Sequence, residues 1–173
     1  MTATKPRRTL VAYSSKNGST AEIARWIGEE LREQHIDAEV APIRDVSSVA
    51  AYDAVVLGAG LYAGRWPGEA VRFVRRHRQA LTEQDVWLFS SGPLDGSATE
   101  RAIPAVPAVA RIAAKLDAHG HVTFGGRLTD GARGFIARGL RKQGKGGDFR
   151  DREQVCAWGR SIAAELTVVS NHH

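Results

Sequence analysis

The chain has one cysteine and one methionine in 173 residues. The single thiol, Cys156, excludes an internal disulfide and any multi-cysteine metal site, and it suits a reducing cytoplasm. No apolar run approaches the roughly 20 residues that a membrane-spanning helix requires. No secretory signal is visible either. Lys5, Arg7 and Arg8 precede only a short β-type run, which reads as a strand flanked by charge. Six histidines are scattered. His119 and His121 lie close together but have no partner ligands in sequence, so they read as strand or turn residues and no metal site is expected. His172 and His173 resemble a cloning remnant and carry no argument. What remains is the composition of an ordinary globular protein, 43% hydrophobic and 25% charged. The length predicts one domain over 1–173, burying about 70% of the surface that the unfolded chain exposes.

The net charge of +5 has an uneven origin along the chain. Between Arg127 and Arg152 stand eight basic residues (Arg127, Arg133, Arg138, Arg141, Lys142, Lys145, Arg150 and Arg152) against Asp130, Asp148 and Asp151. The rest of the chain holds 16 groups of each sign, so the whole excess belongs to this segment. It is also the one irregular stretch, rich in glycine and arginine over about 128–150.

Elsewhere apolar runs and helical patterns alternate. Strands are predicted over 9–14, 38–43, 52–60, 86–91 and 121–126, and helices over 20–34, 67–80, 102–118 and 151–167. Ser19 and Glu22 form a capping-box pattern at the start of the first helix, and Pro67 suits the first turn of the second. Strands alternating with helices argue a parallel sheet covered on both faces. Right-handed crossovers make the order 2-1-3-4-5 the commonest solution, an α/β three-layer sandwich. Ligands of such sheets sit beyond the carboxyl ends of the strands, at the switch point between strands one and three.

The loop Ser14-Ser15-Lys16-Asn17-Gly18-Ser19-Thr20 falls at that point. It follows the strand Leu10-Val11-Ala12-Tyr13 and runs straight into a helix. The amides of a first helical turn face outward and the helix dipole favours negative charge there, so the loop is an anion site of the kind that holds a phosphate. Hydroxyls add donors, and Gly18 permits close approach of the backbone. Two nucleotide motifs fail. A P-loop needs Lys-Ser/Thr after its second glycine, whereas Lys16 precedes Gly18. A dinucleotide fingerprint needs G-x-G-x-x-G after the first strand, whereas Gly58, Gly60 and Gly64 follow the third with the last glycine one place late.

Ser15-Lys16-Asn17-Gly18-Ser19-Thr20 resembles the phosphate loop of the flavodoxins, Ser/Thr-x-Thr-Gly-x-Thr, with Asn17 where a threonine is usual. Gly60-Leu61-Tyr62-Ala63-Gly64 stands where that family places an aromatic against a flavin ring, a role open to Tyr62, which otherwise is a loop-edge aromatic. Ser91-Gly92-Pro93-Leu94-Asp95 corresponds to the second flavin loop, without its usual stacking aromatic. The resemblance implies a flavodoxin-like fold and FMN rather than FAD as cofactor, with no side chain assigned as acid, base or nucleophile.

A narrower resemblance rests on Tyr62-Ala63-Gly64-Arg65-Trp66, Phe73-Val74-Arg75-Arg76-His77, Trp87-Leu88-Phe89-Ser90-Ser91-Gly92-Pro93 and Gly147-Asp148-Phe149-Arg150-Asp151. These are similar to the flavodoxin-domain family that includes the menaquinone-dependent protoporphyrinogen oxidases. The implied activity is an FMN-dependent oxidoreductase linked to a quinone or a redox partner protein. The alternatives are a non-enzymatic electron carrier and a flavin-free interaction domain. The basic segment 127–152 is either a solvated loop or a patch for anionic partners: a porphyrinogen, an acidic protein or a membrane surface. The protein is expected in the cytoplasm, and a membrane surface as partner would place it peripherally at the inner face of the membrane. Nucleic acid is not expected, because no recognition motif accompanies the charge.

Overall fold

A computed structural model describes residues 7–15, 18–92, 104–125 and 151–170. Five strands, β1 (Arg8–Ser14), β2 (Asp37–Pro42), β3 (Ala54–Gly60), β4 (Asp85–Ser91) and β5 (Gly120–Phe124), form one parallel sheet in the order β2-β1-β3-β4-β5. This is the expected 2-1-3-4-5 arrangement. All seven residues of β3 are buried, as a central parallel strand covered on both faces requires. The register brings Ser14 beside Ala59, Gly60 beside Ser91 and Ser91 beside Phe124. The carboxyl ends of four strands therefore meet along one edge.

Helices α1 (Ser19–Glu33), α2 (Gly68–Arg76), α3 (Arg78–Thr82), α4 (Pro107–Leu116) and α5 (Arg152–Ser170) cover the sheet. On one face, Ile23, Ala24, Ile27 and Leu31 of α1 pack with Val155, Ile162 and Leu166 of α5 over Val11, Val56, Phe89 and Phe124. Gly58 makes that packing possible. A Cβ there would stand 2.0 Å from the ring of Phe89, which lies across β3. On the other face, Ala70, Phe73 and Val74 of α2, Leu81 of α3 and Val109, Ile112 and Leu116 of α4 pack over Leu10, Val55, Leu57 and Leu88. No helix among the described residues is long and apolar enough to cross a membrane.

Three local expectations change. The helix expected over 67–80 is two helices, broken at His77 (φ −105°, ψ 14°). His77 is buried with its ring 4.5 Å from that of Phe73, and Leu81 of the second helix is buried as well. The helix expected over 102–118 begins at Pro107. A proline disfavours helical backbone in the residue before it, and Val106 is accordingly extended (φ −60°, ψ 152°). Finally, Ser19 does not cap α1. Gly18 does, in the left-handed conformation and without a side-chain cap, which places Ser19 inside the first turn and not at the expected cap position.

Candidate functional site

The carboxyl edge gathers three loops. In the first, the Ser15 hydroxyl accepts a hydrogen bond from the Gly18 amide at 3.0 Å, closing the turn by its own side chain. Gly18 has φ +83°, a conformation costly for any residue with a Cβ. A Cβ built there would meet nothing within 4 Å, so the space in front of the turn is open. The first intrahelical bond of α1 runs from the Glu22 amide to the Gly18 carbonyl at 3.1 Å. The amides of residues 19–21 precede it and are directed out of the helix end. Ser19 and Thr20 are buried, yet their hydroxyls face the neighbouring loops. The oxygen of Ser19 lies 3.5 Å from that of Ser91.

The second loop leaves β3 at Gly60. A Cβ on Gly60 would stand 3.1 Å from the Tyr62 ring, 3.2 Å from its hydroxyl and 3.3 Å from the Thr20 hydroxyl. The glycine therefore lets a strand-three aromatic and a helix-one hydroxyl converge on one point. Tyr62 and Arg65 exchange backbone hydrogen bonds of 2.8 and 3.0 Å around Ala63 (φ 52°) and Gly64 (φ 73°), the positive angles of a type I′ turn. Leu61 donates its amide to the Ser91 carbonyl at 2.9 Å, joining this loop to the third. There Gly92 (φ 141°) donates to the Phe124 carbonyl at 2.8 Å.

Two polar chains behind these loops had no signature in the sequence. The Ser14 hydroxyl, buried at the end of β1, donates to the Glu69 carboxylate in the first turn of α2. Deeper, the indole N–H of Trp66 donates to Ser90 Oγ at 2.9 Å, and Ser90 Oγ lies 2.9 Å from His121 Nε2. Indole can only donate, so Ser90 Oγ accepts from Trp66 and still has both its proton and a second lone pair for His121. Burial pushes the His121 ring down to about 4. Trp66 directly follows the Tyr62–Arg65 turn, so the chain ties that turn to β4 and β5. His119, in contrast, precedes β5 and bonds Asp85 at 2.8 Å, a structural pairing at the opposite edge of the sheet.

The structure thus brings together Ser15, Gly18, Ser19, Thr20, Gly60, Leu61, Tyr62, Ala63, Gly64, Ser91 and Gly92. Of the other expected site residues, Lys16, Asn17, Pro93, Leu94 and Asp95 lie outside the described residues, as does most of the basic segment 127–152. The described part of the first loop offers hydroxyls, amides and a helix end but no cation. That set fits a phosphate bound through neutral donors.

A family profile described as a flavodoxin domain matches residues 10–138. Protoporphyrinogen IX dehydrogenase (quinone) of Escherichia coli strain K12 is 32% identical over 85 residues, 48% of this chain and 47% of that protein. The chain therefore spans about half the length of the curated relatives it matches. Among solved structures, an archaeal flavodoxin superposes with a TM-score of 0.61 at 15% identity, over 92% of this chain and 99% of that one. Oxidised flavodoxin 1 of Bacillus cereus gives 0.59 at 20% identity, over 92% and 97%. At these identities the structural likeness establishes the fold.

Proposed function

The chain belongs to the flavodoxin domain family, and we propose that it holds FMN at the carboxyl edge of its sheet and acts as an FMN-dependent oxidoreductase. The observation that carries the reading is the first loop, where a left-handed glycine faces open space and three hydroxyls crowd a helix start. Ser15, Gly18, Ser19 and Thr20, with Lys16 and Asn17 between them, would hold the phosphate through amides and hydroxyls. Tyr62 would lie against the ring. The backbone of Gly60, Leu61, Ala63 and Gly64, and that of Ser91 to Asp95, would meet the ring's polar edge. FMN supplies the redox chemistry, exchanging electrons or hydride at its ring.

The chain's own contribution is geometric. The Ser19–Ser91 approach and the Leu61 amide bond to Ser91 fix the spacing of the three loops. The Trp66–Ser90–His121 chain holds the Tyr62–Arg65 turn against the sheet without introducing a charge. The proposed reaction is quinone-linked oxidation of a protoporphyrinogen, supported by the partial relation to the Escherichia coli dehydrogenase. An electron carrier is the second reading, favoured by the exposed arginines of α2. The absorption spectrum of the purified protein, with a mass measurement of the released cofactor, tests the first claim. A flavin spectrum and the mass of FMN are expected; a colourless protein that refuses added FMN removes both readings. Turnover of protoporphyrinogen with a menaquinone analogue separates them, because a carrier gives none.

A further inference from the structure

The charges of the two helical layers are distributed very differently. α1 carries Arg25 and Arg32 against Glu22, Glu29, Glu30 and Glu33, and α5 carries Arg152 and Arg160 against Glu153 and Glu165. That layer is slightly acidic and joined by ion pairs: Arg152–Glu29 at 3.3 Å, Arg160–Glu30 at 3.4 Å and Arg160–Glu153 at 2.6 Å. The layer made by α2, α3 and α4 holds Arg72, Arg75, Arg76, Arg78, Arg111 and Lys115 against the single acid Glu69. All six basic residues are exposed, and none forms an ion pair among the described residues. Glu69 is already engaged by Ser14. Of the following acids, Glu83 and Asp117 come after the carboxyl ends of α3 and α4, at the edge where Arg76 and Lys115 also stand, and Asp95 and Glu100 lie outside the described residues. Arg65, exposed in the turn before α2, extends the basic strip to the site itself.

We propose that this α2–α4 face, running from Arg65 at the candidate site along Arg72 to Arg75 and Arg76 at the end of α2, docks an acidic electron-transfer protein that reaches the cofactor edge through Arg65. The proposal rests on the reading that FMN is held at that edge, and it names the kind of partner the site meets. Arg72, Arg75 and Arg76 stand at i, i+3 and i+4, one face of a helix, so their guanidinium groups are held in register. Guanidinium forks in fixed register suit surface carboxylates, which they bind in bidentate fashion. Unpaired charge of one sign also steers a partner of the other sign and sets its orientation. A lipid surface is the weaker fit. An interfacial helix needs an apolar face for the bilayer, but Ala70, Phe73 and Val74 of α2 are spent in the core. Among the described residues the one exposed large hydrophobic is Val168, on α5 in the other layer.

The test uses the full chain, with and without FMN, and a labelled acidic plant-type 2Fe–2S ferredoxin as probe, binding being read by fluorescence anisotropy. Saturable binding is expected at about 20 mM salt, weakening about tenfold or more at about 200 mM. Arg72→Glu/Arg76→Glu should weaken it about tenfold or more, and Arg72→Gln/Arg76→Gln by less, whereas Arg25→Glu on α1 should leave it within about twofold. No saturable binding at low salt, or equal affinity in the charge-reversed and parent proteins, overturns the proposal. Vesicles of phosphatidylcholine with phosphatidylglycerol form the other arm. If the double reversal abolishes cosedimentation with them but spares ferredoxin, the face is a lipid surface and the proposal fails. FMN titration of the same proteins keeps the two claims apart. Loss of FMN binding in the parent sinks the cofactor reading, while ferredoxin binding to the flavin-free chain still decides the docking face.

Discussion

On one face of the sheet, α1 and α5 bury Ile23, Ile27, Leu31, Val155, Ile162 and Leu166 and pair their charges across the helix–helix contact. On the other, α2, α3 and α4 bury a comparable apolar set, but their polar groups are directed elsewhere: Glu69 to the end of β1, Trp66 to β4, six basic groups to solvent. The first layer pairs its charges within itself and gives the edge the Ser19 and Thr20 hydroxyls at the start of α1, whereas the second turns Glu69 and Trp66 toward the strands. A doubly wound sheet can divide labour in this way because its two faces are separate cores. The site then takes its first loop from one side and the polar chains behind it from the other.

The largest effect should come from the scaffold. Ile162→Ala removes a fully buried side chain between α5 and the sheet and should cost about 2–5 kcal/mol in urea unfolding. FMN affinity at saturation of the folded state should stay within about twofold, since no ligand contact is touched. A loss of affinity in proportion to stability would break the division. The second effect belongs to the other layer. His121 titrates near 6.5 when unfolded and about 4 when folded. Between those values the unfolded chain holds a proton that the folded chain refuses, so stability falls as the pH is lowered through that window. The loss should be roughly 2–3 kcal/mol after allowance for partial exposure. In His121→Gln the slope of stability against pH from about 6.5 to 4 should flatten; an unchanged slope would remove His121 from the account. The neutral imidazole should also be visible in nitrogen-15 spectra at neutral pH.

The smallest effects sharpen the contrast in charge. Arg160→Ala deprives the buried Glu30 carboxylate of its cation and should lower the urea midpoint slightly, the effect being limited by the exposure of the arginine. Arg75→Ala should change stability by less than about 0.5 kcal/mol, because that side chain is exposed and unpaired among the described residues. Equal costs in the two variants would mean that the basic face is also internally satisfied.

Much of this was legible in the sequence, for identifiable reasons. The strands announce themselves because a parallel sheet buried on both faces demands unbroken apolar runs such as Ala54-Val55-Val56-Leu57. The loop 14–20 is legible because its chemistry is local, a glycine and hydroxyls between a strand and a helix. The break at His77 was hidden because Phe73, His77 and Leu81 stand at i, i+4 and i+8, a spacing that an unbroken helix would bury equally well. Trp66, Ser90 and His121 were hidden for a similar reason, since strand register and not spacing brings them together. The basic face was hidden by counting along the chain. Residues 65–78 are strongly basic, but acids elsewhere cancel them, and only the fold shows that just one acid, Glu69, lies on the three helices that carry these arginines.

The account stands or falls on the first loop, and comparing FMN with riboflavin interrogates it directly, because the two differ only in the phosphate. Fluorescence titration of the purified chain should show FMN binding about 100-fold or more tighter than riboflavin. Gly18→Val, which cannot hold φ +83° without strain, should erase most of that difference. Equal affinity for the two flavins, or an undiminished preference for FMN in the valine variant, would contradict a phosphate site at 14–20.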